Sequence, residues 1–249
     1  MSPSPVDGSR LLIVIPAWNE EGSLPTVLQE VGAAVPHAAV LVVNDSSSDR
    51  TSELARSAGV DVLDLPFNLG VGGAMRAGFR FAQLRRYDVV VQLDADGQHD
   101  PAEVPQLLAQ LEDSASDIVI GARFAGRGDY QARGPRRWAM RLMSWTLSRI
   151  TGARLTDATS GFKAIGPRAI ALFAKDYPAE YLGDTVESLV LAARSGLVVS
   201  QTPVRMRPRT AGNPSHNPTR SVVYLARAVM ALVVALTRPR TPVQKGGIA

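Results

Sequence analysis

The sequence predicts an α/β domain built on a mostly parallel sheet flanked by helices. Three observations predict it. Short apolar runs alternate with helical patterns through the first half of the 249 residues, as strands joined by crossover helices require. The runs are rich in Val, Ile and Leu without polar alternation, as when both sheet faces are covered. Capping residues stand ahead of the intervening helices.

In order, the strands are Leu11 to Ile15, Ala39 to Val43, Val60 to Leu65, Val89 to Leu93 and Ile118 to Ile120. Helices start after Ser23, after Ser48 or Asp49, and after Asp100, the first and last with proline in the first turn. Beyond Gly121 the rhythm changes: a Gly- and Arg-rich loop over 125–135 leads into a helix over 136–150. A short strand over 160–165, a helix over 185–194 and a strand over 197–206 follow. Breakers Pro208, Gly212, Pro214 and Pro218 end regular structure before a last helix over 220–236. Its longest uncharged run, Ala228 to Thr237, is short of the roughly 20 apolar residues that cross a bilayer. The domain plan is a disordered 1–10, one domain over 11–219, an amphipathic or membrane-surface helix over 220–237 and a basic tail over 238–249.

Zero cysteines exclude disulfide scaffolds, thiolate metal sites and cysteine nucleophiles, and His37, His99 and His216 are the only histidines. The opening MSPSPVDGSR lacks the basic and apolar runs of a signal peptide, so a cytoplasmic location is expected. The net charge of +4 is uneven: from residue 201 onward eight basic residues face no Asp or Glu, leaving −4 on residues 1–200. A second basic stretch holds Arg123, Arg127, Arg133, Arg136, Arg137 and Arg141 against Asp129 alone. Such blocks attract phosphate, nucleic acid or an anionic membrane face, or they are solvated spacers.

The strongest chemical signal is Leu93-Asp94-Ala95-Asp96-Gly97-Gln98-His99-Asp100, at the end of the fourth strand. In open α/β sheets ligands gather at the carboxyl ends of strands. Residues two apart in extended chain share a side, so Asp94, Asp96 and Gln98 converge. Hard oxygen ligands of this kind suit Mg²⁺ or Mn²⁺ bridged to substrate phosphates; the other reading is an acidic turn capping the next helix. Two further strand ends carry Pro16-Ala17-Trp18-Asn19-Glu20-Glu21 and Asn44-Asp45-Ser46-Ser47-Ser48-Asp49. Trp18 could stack on a base and Glu20 and Asp45 hydrogen bond base or ribose; taken alone, these are also ordinary turn residues. Gly70-Val71-Gly72-Gly73 fits neither a dinucleotide fingerprint, since Met75 stands at the third glycine position, nor a Walker loop. It reads as a close-approach turn opening a helix, with Arg76 available for a phosphate.

These motifs, with Asn68-Leu69-Gly70, fall in the order and spacing of family 2 glycosyltransferases with a GT-A fold, and the chain resembles the dolichol-phosphate mannose synthase group. Gly121-Ala122-Arg123-Phe124 and Asp157-Ala158-Thr159-Ser160-Gly161-Phe162-Lys163 match that group's later motifs, and Glu187 falls on one of its glutamates. The resemblance runs from about residue 11 to 236. It implies a nucleotide-binding N-terminal half and an acceptor-binding C-terminal half. Pro16, Ala17, Trp18, Glu20 and Asp45 would hold the nucleoside, and Asp94, Ala95, Asp96 and Gln98 the metal and diphosphate. Arg123 and Arg209 would meet phosphate, with Lys163 and Glu187 at the acceptor end. His216 stands where the group has a basic residue, displaced by an extra Pro214, and Trp18 stands where tyrosine is common.

The activity so implied is inverting, metal-dependent transfer from a nucleotide diphosphate sugar (GDP-mannose or a UDP-sugar) to a polyprenyl phosphate, with Mg²⁺ or Mn²⁺. A phosphate acceptor is largely ionised at pH 7 and needs no general base. A hydroxyl acceptor, soluble or on a glycan, needs one, for which Asp157, Asp184 and Glu187 are candidates. The basic C-terminal segment favours the lipid phosphate and peripheral contact with the cytoplasmic face of an anionic membrane, alone or through a membrane-protein partner. A basic nucleic-acid-binding or regulatory protein is the non-enzyme alternative; the Asp94-Ala95-Asp96 motif argues against it, so no nucleic acid is expected.

Overall fold

The computed structural model describes residues 10–122, 144–157, 159–178 and 184–207. Along the chain run β1 (Leu11–Ala17), α1 (Leu24–Ala34), β2 (Ala39–Asn44), α2 (Thr51–Ser57), β3 (Asp61–Asp64), α3 (Gly70–Leu84) and β4 (Val89–Gln92). A 3₁₀ turn (Pro101–Glu103) leads into α4 (Val104–Asp113), followed by β5 (Ile118–Ala122) and a helical stretch α5 over 144–151. Then come β6 (Lys163–Ile165), α6 (Pro167–Asp176), α7 (Asp184–Arg194) and β7 (Val199–Pro203). The expected loop over 125–135, most of the helix over 136–150 and everything from 208 onward lie outside the described residues.

The seven strands form one sheet in the order β3-β2-β1-β4-β6-β5-β7. Every pairing is parallel except those of β6, which runs antiparallel to both β4 and β5. The chain therefore winds outward from β1 to β3, then returns to the other side of β1 with β4. That reversal makes a switch point between β1 and β4, where ligands bind beyond the carboxyl ends of open α/β sheets.

The apolar runs bury both faces. Leu12 and Val14 join Leu41, Val43, Phe79 and Phe173 in the core under α3, α6 and α7. Ile13 and Ile15, one step out of phase, join Leu24, Leu28, Leu107 and Leu108 under α1 and α4. Gly78 brings α3 close to the sheet: a Cβ there would lie 2.6 Å from Val14 Cγ1. Pro16 interrupts the ladder harmlessly. Val14 accepts from Leu93 across the β4 side and Ala17 from Asp45 across the β2 side, so the N–H that Pro16 lacks faces a position that β4 has already left.

Three expectations are corrected. Helix α6 was not anticipated, although Pro167 and the spacing of Ala169, Ile170, Leu172 and Phe173 mark it. The strand expected over 160–165 is a three-residue antiparallel one. Ser23 occupies the N-cap of α1 without capping it; its hydroxyl donates to Glu20 Oε2 at 2.7 Å. Asp100 does cap the 3₁₀ turn, accepting from Ala102 N at 3.0 Å, and Asp49, one residue before the N-cap Arg50 of α2, accepts from Thr51 N at 3.0 Å.

Candidate functional site

The loops after β1 and β2 are stitched together at the switch-point edge. Asn19 N donates to Ser47 Oγ, Glu20 N to Thr51 Oγ1 and Glu21 N to Asp49 Oδ2. In return Ser48 N donates to Asn19 Oδ1 and Arg50 N to Glu21 Oε2. Asn19 and Ser46 sit at φ of 55° and 60°, a strained left-handed backbone that such a network over-determines. The outcome is a fixed platform with Trp18 at its tip, 56% exposed. An indole held open on a rigid turn is suited to stacking on a planar ring.

Asp45 lies behind this platform and is buried. Its carboxylate, expected to meet base or ribose, accepts from Leu69 N and Gly70 N at 2.7 Å each, fastening the start of α3, where Gly70 adopts φ 73°. Arg76 is also engaged elsewhere than expected: its guanidinium donates to Lys175 O at 2.7 Å at the C-terminal end of α6. Cations are favoured at such helix ends, so the arginine joins α3 to α6 rather than facing the strand-end crevice. Pro16 and Ala17 are buried as the last two residues of β1.

The 94–100 loop is built around Gly97 at φ 76°. Asp96 Oδ1 accepts from Gln98 N at 3.0 Å. Asp94 N donates to His99 Nδ1 at 3.0 Å, while His99 Nε2 lies 3.5 Å from Asp94 Oδ2. With Nδ1 accepting, the ring proton sits on Nε2 and faces that carboxylate. The imidazole is buried and stacked on Phe162, centroids 5.0 Å apart at 15°. The loop is held from outside by a bridge between His99 and Met206 and by Arg207 N donating to Gln98 O. Arg207 in turn holds Glu30 and Asp100, each at 2.7 Å. Burial works against its charge, but the two carboxylates outweigh that and raise its pKa.

Asp94 is 37% exposed at its side chain and Gln98 is half-buried, whereas Asp96 and Ala95 are buried. Two carboxylates and one amide in a single turn fit a hard divalent cation, which takes one or two protein carboxylates and fills its shell with water and substrate phosphate. Among the described residues no cluster of three acidic, histidine or cysteine side chains forms a complete cage.

Across from this loop, the turn after Asp157 lies against Asp94. A Cβ on Gly161 would stand 3.2 Å from Asp94 Oδ1 and 3.2 Å from Gln92 Nε2, a tight contact that glycine relieves. Asp157 is buried and accepts from Thr159 N and Thr159 Oγ1 at 3.2 and 3.0 Å. Lys163 and Glu187 are both buried, on β6 and α7. Asp157, the candidate base, and Lys163 and Glu187, expected at the acceptor end, are thus interior positions among the described residues. Arg123, Arg209 and His216 lie outside the described residues. Sequence reasoning missed Gln92, two positions before Asp94, and the clamping roles of His99 and Arg207; the only sequence signal was an amide interrupting the apolar run of β4.

The sequence matches the family described as Glycosyl transferase family 2 over residues 12–178. It is 36% identical over 217 residues to an undecaprenyl-phosphate mannosyltransferase of Micrococcus luteus, covering 82% of this chain and 86% of that one. It is 35% identical over 162 residues to a polyprenol monophosphomannose synthase of Mycolicibacterium smegmatis, covering 62% and 61% of the two chains. The fold is similar to that of glucosyl-3-phosphoglycerate synthase from Mycobacterium tuberculosis, crystallised with Mn²⁺, UDP and phosphoglyceric acid. That match has a TM-score of 0.69 at 20% identity, covering 93% of this chain and 80% of that one.

Proposed function

The chain belongs to glycosyl transferase family 2, and on that premise we propose that this GT-A glycosyltransferase moves a sugar from a nucleotide diphosphate sugar to a polyprenyl phosphate. The observation that carries the reading is the turn of Asp94, Asp96 and Gln98 at the end of β4, beside the β1/β4 switch point, with Asp94 against Gly161. The polyprenyl-phosphate acceptors named for the two bacterial relatives support the acceptor class.

Trp18 stacks on the base from its fixed platform, and Glu20 completes the nucleoside pocket; Asp45 serves it indirectly, by holding the start of α3. Asp94, Asp96 and Gln98 would hold Mg²⁺ or Mn²⁺, which when bound would supply charge neutralisation for the departing diphosphate. An ionised acceptor phosphate oxygen attacks the anomeric carbon; the bond to the diphosphate breaks, its electron pair leaves with the diphosphate, and configuration inverts. No side chain needs to remove a proton, because the acceptor's second pKa is near 6. That agrees with a buried Asp157 engaged by Thr159.

Arg123, Arg209 and His216 complete the reading as ligands of phosphate, and the basic C-terminal segment as a contact for an anionic cytoplasmic membrane face. Among the described residues no helix is long and apolar enough to cross a membrane. Incubation with GDP-mannose and UDP-sugars, Mn²⁺ or Mg²⁺ and a polyprenyl phosphate should yield an extractable glycolipid. Chelator and Asp96→Asn should each suppress it; no glycolipid from any donor would overturn the proposal.

A further inference from the structure

Strand β4 reads Val89, Val90, Val91, Gln92, three apolar residues and then an amide in an equally buried position. Val90 faces the core under α3, α6 and α7, and Val91 faces the other core. Gln92 therefore points to the side of Val90, and Asp94, two residues further on, continues that direction into the loop. Gln92 is 3% exposed, and among the described residues its amide makes no hydrogen bond. The only fully sealed and unpartnered side-chain polar atom among those residues is Arg76 Nε, so the amide of Gln92 keeps a small opening.

Toward the interior Gln92 lines a void with Phe79, Ile118 and Phe173 and with the polar Lys163, Tyr177 and Ser188, none of which hydrogen bonds its amide. Toward the crevice it meets Gly161, where a Cβ would stand 3.2 Å from Gln92 Nε2 and 3.2 and 3.3 Å from the two oxygens of Asp94. Amide and carboxylate thus lie side by side against the bare backbone of Gly161. An unpaired buried amide destabilises a fold, and a fourth valine would avoid the cost.

We propose that Gln92 determines sugar specificity, its amide hydrogen bonding a ring hydroxyl of the sugar being transferred. This rests on the reading of Asp94 as part of the donor site. The group next to a diphosphate-binding carboxylate is the sugar joined to that diphosphate. A neutral amide both donates and accepts, as does a hydroxyl. A site that hydrogen bonds a substrate hydroxyl discriminates against the analogue lacking it, because its own buried group is then left unpaired.

The test is calorimetric binding in Mn²⁺ to the parent protein and Gln92→Leu. The probes are whichever of GDP-mannose or UDP-glucose the parent binds more tightly, its monodeoxy analogues, and the nucleotide diphosphate alone. The parent should favour the full sugar over one monodeoxy analogue by about 10-fold. Gln92→Leu should bind those two within about 2-fold of each other and hold the nucleotide diphosphate as the parent does. Its Tm should be equal or higher, because the unpaired amide is gone. Parent-like discrimination in Gln92→Leu, or loss of nucleotide diphosphate affinity in step with the sugar, would overturn the inference. A parent that binds no nucleotide sugar would overturn the donor reading beneath it, before any variant is compared.

Discussion

His99 accepts the main-chain N–H of Asp94 through Nδ1 at 3.0 Å and so fixes the residue that opens the acidic turn. The imidazole stands behind the turn, stacked on Phe162 and bridged to Met206. It positions a candidate ligand without being one.

His99→Ala should therefore weaken cation dependence as well as stability. Groups that orient metal ligands are typically worth 10- to 100-fold in metal affinity or activity, and a buried N–H left without an acceptor costs about 1–3 kcal/mol. Mn²⁺ activation curves and thermal melts of the two proteins measure both. A lower Tm with an unmoved Mn²⁺ requirement would reduce His99 to a packing residue.

Gly78→Val tests the approach of α3 to β1. The added Cβ would meet Val14 Cγ1 at 2.6 Å, and overpacking of this kind costs about 1–3 kcal/mol. Urea unfolding should show the loss, and Val14→Ala in the same chain should recover part of it. Equal stability of parent and Gly78→Val would mean the helix simply shifts.

Much of this architecture was legible because it is local. The Val-rich runs of β1, β2 and β4 and the Asp100 cap follow from neighbouring residues alone. What was hidden depended on partners far along the chain. Arg76 reads as a phosphate ligand until Lys175 O, 99 residues later, is beside it. Three-residue β6 has too short a run to signal its antiparallel pairing, which comes from fitting between β4 and β5. Gln92 is an ordinary strand end until Gly161, 69 residues later, brings its amide beside Asp94.

Acid stability should depend on Asp64. Burial raises its pKa, but hydrogen bonds from Arg56, Ser52 and Asn44 and the Arg56 charge outweigh that, lowering it from 3.8 to about 2. The stabilisation is complete above the unfolded value and is lost as pH falls toward 2. Because the side chain is 41% exposed, screening limits the contribution to about 1 kcal/mol or less. Denaturant midpoints of parent and Asp64→Asn should differ at pH 5 and converge near pH 2, with a smaller gap in high salt.

The C-terminal charge predicts salt-sensitive lipid binding. Residues 201–249 carry eight basic and no acidic side chains, and each basic residue close to an anionic surface adds about 1 kcal/mol. Co-sedimentation should favour anionic over neutral vesicles and weaken as salt shortens the screening length. Equal, salt-insensitive binding to both would contradict an electrostatic contact.

Asp157→Asn separates a phosphate acceptor from a hydroxyl acceptor. In the structure its carboxylate accepts from Thr159 N and Oγ1 and is buried, the geometry of a group that shapes a turn. If the acceptor is a polyprenyl phosphate, the nucleophile arrives ionised and the acidic limb of the rate belongs to the acceptor, near pH 6. Asparagine retains an acceptor oxygen for Thr159, so the variant should melt somewhat lower while the surviving folded enzyme keeps that limb. If Asp157 were instead the base for a hydroxyl, the substitution would remove proton abstraction, typically about 10²- to 10⁴-fold, and the limb would vanish with the carboxylate. A pH–rate series beside a melt distinguishes the two, because loss of the turn moves the melt and loss of a base moves the profile. A vanished limb in a protein that melts like the parent would replace the phosphate acceptor by a hydroxyl.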